Sequence, residues 1–119
     1  MTKTMTIIWR GGSMMAMDAN VATKLAAAAL RKGYKVKMFG YGEGITAVKK
    51  GQAPKRFPNV GNELEELAKA GAEISLCETC YAARGFQRGE EIEGVKIGSL
   101  TNNLFGFVSD SDRLVTIAR

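Results

Sequence analysis

Cys77 and Cys80 are the only two cysteines of the chain. They stand in Ile74-Ser75-Leu76-Cys77-Glu78-Thr79-Cys80-Tyr81-Ala82-Ala83-Arg84-Gly85, where an apolar strand pattern gives way to a helical one. Only the thiolate form of cysteine is a good nucleophile, and the start of a helix favours it through unpaired backbone N–H groups and a partial positive charge. A C-x-x-C at such a junction can attack, carry sulfur or be oxidised. At the cap position Cys77 is expected to be the more exposed thiol and the nucleophile, with Cys80, one turn further, as its resolving or supporting partner. The bland alternative is a pair of small buried hydrophobes. Thr79, Arg84, Gly12 and Ser13 are the candidate anion-stabilising residues around this pair.

The chain contains no histidine. That removes histidine general bases, Ser-His-Asp and Cys-His activation, and imidazole-bound zinc. Any activation of a cysteine must come from backbone N–H groups, helix dipole and Lys or Arg.

These thiols need a frame. At 119 residues the chain is read as one domain, 1–119, large enough to bury a core without disulfide staples. No apolar run approaches the roughly 20 residues that cross a bilayer, and the first ten residues lack a signal-peptide pattern. A cytoplasmic, soluble protein in a reducing compartment is expected, where a C-x-x-C is more often reactive or metal-binding than structural. The formal charge is +5, with Lys49, Lys50, Lys55 and Arg56 gathered in one loop. Without interleaved aromatics or a reading helix these residues read as a solvated loop, and no nucleic-acid partner is expected. A second use for them is to depress the pKa of a nearby sulfur.

Residues 5–9 read as a buried strand, 18–32 as a helix with Val21, Leu25, Ala28, Ala29 and Leu30 on one side, and 35–39 as a second strand. Gly40, Gly42 and Gly44 then break the chain before a short helical piece at 45–50 and a basic loop at 51–58. Asn62 is expected to cap a helix whose apolar stripe is Leu64, Leu67 and Ala68. Strands at 73–77, 95–97 and 113–117, and helices opening at 79 and spanning about 99–108, complete the alternation. Such alternation predicts an α/β fold with a parallel sheet between helices. Sites in these folds lie at the carboxyl ends of the strands, so loops 10–17, 40–44 and 77–80 should converge.

Other candidates are weaker. Arg10-Gly11-Gly12-Ser13 follows a strand as a phosphate loop would, but lacks the G-x-G-x-x-G and Walker spacings. Met14, Met15 and Met17 beside two thiolates could bind Cu(I), although methionines more often pack a core or an interface. A cysteine zinc site would need a second subunit. Glu90, Glu91, Glu93, Asp110 and Asp112 read as a solvated face.

The motif Leu76-Cys77-x-Thr79-Cys80-x-x-x-Arg84-Gly85 occurs with Ile92-x-Gly94-Val95-x-Ile97-Gly98-Ser99-Leu100, with Ser111-Asp112-Arg113-Leu114-Val115-Thr116 and with Gly51-Gln52-x-Pro54. Together they resemble the DsrE/DsrF/TusD sulfur-relay family, most closely its small YchN-like members. The resemblance implies a DsrEFH-like three-layer α/β/α sandwich with a parallel five-stranded sheet, and assembly into a homotrimer or homohexamer. It also implies a cytoplasmic sulfur carrier that accepts persulfide sulfur on the residue matching Cys77, exchanges it with donor and acceptor proteins, and uses no cofactor, metal or membrane. Several members lack a cysteine matching Cys80, which leaves that residue either resolving or structural. Where relatives carry a Tyr, Gly or Ser-bearing turn after the first strand, this chain has 9–15, Trp9 to Met15, as the expected wall over the sulfur. Two other readings stand beside the carrier: a C-x-x-C thiol-disulfide or polysulfide reductase, and an oligomeric metal-binding module.

Overall fold

A computed structural model describes residues 2–14 and 16–118. Its strands are β1 (Thr4–Trp9), β2 (Lys35–Gly40), β3 (Glu73–Cys77), β4 (Val95–Gly98) and β5 (Arg113–Ile117). Its helices are α1 (Asp18–Arg31), α2 (Val60–Lys69), α3 (Glu78–Ala83) and α4 (Phe105–Ser109). The five strands form one wholly parallel sheet in the order β4-β3-β2-β1-β5.

Strand alternation sorts the side chains into two layers. Ile7, Trp9, Val36, Met38, Ile74, Leu76 and Val95 meet α1 and α2 in the main core. The opposite face is thinner: Phe39 and Cys77 pack on Phe107 of α4, edged by Ile8, Tyr41 and Leu104. Two crossovers cover the first face with full helices, whereas only the β4 to β5 crossover covers the second. Phe105 and Leu114 are left exposed there.

The buried side of α1 is Ala19, Ala22, Thr23, Ala26 and Ala29, while Val21 is exposed. The expected stripe is therefore rotated, because the smallest side chains let the helix approach the sheet most closely. Asn59, not Asn62, caps α2: its side chain accepts the Asn62 N–H at 3.1 Å. The helix begins earlier because Val60 and Gly61 are already helical and buried. The piece expected at 45–50 is a 3-10 turn, Gly42–Val48. The helix expected at 99–108 opens as a π turn, Leu100–Leu104, capped by Ser99, whose Oγ accepts the Asn102 N–H at 2.9 Å.

Asp110 and Asp112 are exposed, as expected, and with the half-buried Glu91 they also serve as hydrogen-bond acceptors within the chain. Asp112 accepts the Thr4 N–H at 2.8 Å, Glu91 accepts the Tyr81 hydroxyl at 3.1 Å and Asp110 pairs with Lys37 at 3.1 Å. Chain ends need partners for their free N–H groups, and short loops bring these side chains to them. No described helix is long and apolar enough to cross a membrane.

Candidate functional site

The site begins at the carboxyl end of β3. In the sheet register Leu76 lies beside Gly40 of β2, and Cys77 beside Gly98 of β4. Cys77 has extended backbone and caps α3, with its Sγ accepting the Cys80 N–H at 3.4 Å. One turn on, Cys80 Sγ accepts the Gly42 N–H at 3.3 Å. The expected meeting of loops 40–44 and 77–80 is thus made by a backbone donor on a sulfur.

The exposure of the two thiols reverses the expectation. Cys77 is 3 % exposed and Cys80 is half-buried. The cause is the pleat: Cys77 points to the α4 face, where Phe39 and Phe107 cover it, whereas Cys80 sits on a six-residue helix at the sheet edge. Burial pushes the Cys80 thiol up, and its hydrogen bond with Cys77 pushes it further, while the Gly42 N–H and Arg84 pull the other way. On balance the Cys80 thiol holds its proton more firmly than an ordinary thiol.

Arg84 closes α3, and Gly85 follows with φ +81°, a conformation that suits glycine and ends the helix there. The Arg84 guanidinium donates from Nη1 to the Cys80 carbonyl at 3.0 Å and from Nη2 to Glu43 Oε1 at 2.6 Å. Its Nε is buried without a partner among the described residues. The Arg84 side chain holds the Glu43 carboxyl below its usual range. Glu43 is the residue at this site that sequence reading missed. The available signal was a single carboxylate between Gly42 and Gly44, in a loop already expected to meet the cysteines.

The remaining candidates lie further out. Thr79 is exposed on α3. Gly12 and Ser13 line a cavity of about 390 Å³ with Met14, Glu43, Thr46 and Gln52, so they reach the site through Glu43. Trp9 is not a wall over the sulfur. It points into the α1 core, held by its Nε1 hydrogen bond to the Gly44 carbonyl at 2.8 Å. Met14 and Met17 are exposed, and Met15 lies outside the described residues.

The basic loop is tied elsewhere. Lys49 pairs with Glu90 at 3.7 Å and the Lys50 N–H bonds the Glu90 carbonyl at 2.8 Å, whereas Arg84 draws the Cys80 thiol down. Among the described residues no group of three or more His, Cys, Asp or Glu could hold a metal ion. The larger hollow, about 780 Å³ between α1 and α2, is lined by Ala27, Leu30 and Leu67 among others, and neither cysteine lines it.

Comparison with known proteins decides the family, since residues 3–117 match the DsrE/DsrF-like family. The chain belongs to that family. An uncharacterized protein of Methanopyrus kandleri is 36% identical over 97 residues, covering 82% of this chain and 79% of that one. Protein YchN of Escherichia coli is 31% identical over 81 residues, covering 68% of each chain. The crystal structure of the E. coli ychN protein matches with a TM-score of 0.88 at 26% identity, covering 98% of this chain and 99% of that one. The DsrE-like α/β fold and the YchN-like membership expected from the motifs both hold.

Proposed function

We propose that this protein is a sulfur-relay carrier that holds sulfane sulfur as a persulfide on Cys77. The observation that carries the reading is the hydrogen bond from the Cys80 N–H to Cys77 Sγ at 3.4 Å, at the cap of α3. Backbone donors aimed at sulfur favour its anionic forms, the task a histidine would otherwise perform.

In the loading step the Cys77 thiolate attacks the outer sulfur of a donor R–S–SH. The donor S–S bond breaks, R–S⁻ leaves with its electron pair, and Cys77–S–SH forms. In the delivery step an acceptor thiolate attacks that outer sulfur and the Cys77 thiolate departs. No external oxidant or reductant enters the exchange. Because Cys80 keeps its proton, it is a poor attacker of the inner sulfur, and the persulfide survives until the acceptor arrives.

The closeness of the two thiols favours one second reading. If Cys80 ionises, it attacks the inner sulfur of the Cys77 persulfide, hydrosulfide leaves, and a Cys77–Cys80 disulfide remains, which is dithiol or polysulfide reductase chemistry. A metal-binding module would require a second copy to complete the ligand set.

The proposal includes a cytoplasmic setting, donor and acceptor proteins as partners, and a homotrimer or homohexamer. Support for assembly comes from Phe105, 62 % exposed, and Leu114, 49 % exposed, on the thinly covered sheet face.

The test is intact mass spectrometry of the reduced protein after exposure to polysulfide, or to thiosulfate with a sulfurtransferase. Additions of about 32 Da that vanish in Cys77→Ser and persist in Cys80→Ser are expected for a persulfide carrier. Loading unaffected by Cys77→Ser would remove the assignment. A loss of about 2 Da that needs both cysteines, with no sulfur retained, would favour the reductase.

A further inference from the structure

We infer that Glu43 is a positioning residue for the cysteine pair: its carboxylate fixes the Arg84 guanidinium against the Cys80 carbonyl, so that the cation is held beside the sulfurs. The inference rests on the thiolate chemistry proposed above and adds the residue that keeps its cation in place.

Arginine presents five N–H donors in one rigid plane. Two anchors fix that plane here: Nη1 on the Cys80 carbonyl at 3.0 Å and Nη2 on Glu43 Oε1 at 2.6 Å. The Nε–H is left buried without a partner among the described residues. A buried donor with nothing to bond is unfavourable. With only the carbonyl anchor, a long side chain at a helix end would sample many rotamers, and its field at the sulfurs would average away.

The turn that follows β2 therefore serves the pair twice. Gly42 donates its N–H directly to Cys80 Sγ, and the next residue, Glu43, acts through Arg84. Glu43 is hydrogen-bonded to Arg84, and its influence on the cysteines is assigned to that contact. The neighbouring cation, Arg10, lies 5.8 Å from the centre of the Tyr41 ring, and Tyr41 edges the cluster around Cys77. Glu43 is largely exposed, with 69 % of its side chain accessible, so its ion pair contributes little to folding and its loss reports on positioning.

The experiment follows the pH dependence of iodoacetamide alkylation in the full chain, with the modified cysteine identified by mass spectrometry. Wild type, Glu43→Ala, Arg84→Gln and the double variant are compared. Glu43→Ala is expected to move the Cys80 profile to higher pH and to slow Cys80 alkylation about threefold at any pH below the midpoint of that profile, as Arg84→Gln does. The double variant should add nothing further, since both act through one group. Glu43→Gln, which keeps an acceptor for Arg84, should recover part of the rate.

An unchanged Glu43→Ala profile, or effects that add in the double variant, would overturn the inference. A shift to lower pH would overturn it too, by making Glu43 a competing charge. Persulfide loading separates the two proposals. Loading on Cys77 with an unmoved Glu43→Ala profile removes the role of Glu43 alone, whereas a shifted profile without loading in wild type removes the carrier alone.

Discussion

The backbone N–H of Cys80 is aimed at the Sγ of Cys77 across 3.4 Å, so the two cysteines are coupled by the turn itself before any sulfur arrives. The residue that donates this hydrogen bond also carries a thiol whose pKa burial raises above the ordinary value. One cysteine accepts a backbone N–H at its sulfur, and burial raises the pKa of the other. This division distinguishes a site that keeps a persulfide from one that expels hydrosulfide.

A first prediction concerns that division. In wild type, Cys80 should be alkylated only at pH above the ordinary thiol range, chiefly because of burial and then because of Cys77. Replacing Cys77 by alanine removes the second influence and leaves the first, so the Cys80 profile should move down in pH without reaching that of a free thiol. Peptide mass spectrometry after pulse labelling reads the shift. An unmoved profile would show that Cys77 does not act on Cys80.

The second prediction concerns the floor beneath the Gly42 turn. A Cβ at Gly40 would lie 2.7 Å from Trp9 Cζ2, and one at Gly44 would lie 2.6 Å from the Trp9 carbonyl oxygen. Trp9 is fully buried and is the chain's one tryptophan. Gly44→Ala should therefore destabilise the protein by about 1–3 kcal/mol through overpacking. Urea denaturation followed by tryptophan fluorescence measures it. A change below about 0.5 kcal/mol, the level of an ordinary surface substitution, would contradict the close approach.

Tyr81 yields a third prediction, at alkaline pH. Burial first, and then its hydrogen bond to Glu91, push its phenol up to about 12. Between the ordinary phenol value near 10 and about 12, the unfolded chain has lost this proton while the native chain keeps it. Stability supplied by the protonated phenol is therefore complete below pH about 10 and falls away as pH rises through that window, by about 1–3 kcal/mol. Denaturant titrations at pH 9 and 11 should show wild type losing more stability than Tyr81→Phe. Equal losses would mean that Tyr81 ionises as an ordinary phenol.

Much of the frame was legible in the chain because its signals are local. The strands at 73–77 and 113–117 have the predicted bounds, since short apolar runs between turn residues leave few alternatives. Helix caps were less legible. Asn59 and Asn62 are equally good cap residues, and the choice between them depends on Val60 and Gly61 being buried in the assembled fold.

By itself the sequence determined the alternating parallel fold, the family and the placement of Cys77 and Cys80 where a strand turns into a helix. Those properties follow from periodicity, end signals and a motif within about twelve residues. The tertiary structure alone decided which thiol is covered, which backbone N–H meets Cys80 and which carboxylate holds Arg84. Gly42 lies 38 positions from Cys80, and Glu43 lies 41 from Arg84. Contacts at such separations arise only when β2 and β3 pair and bring their carboxyl ends together, and no local pattern in either segment encodes them.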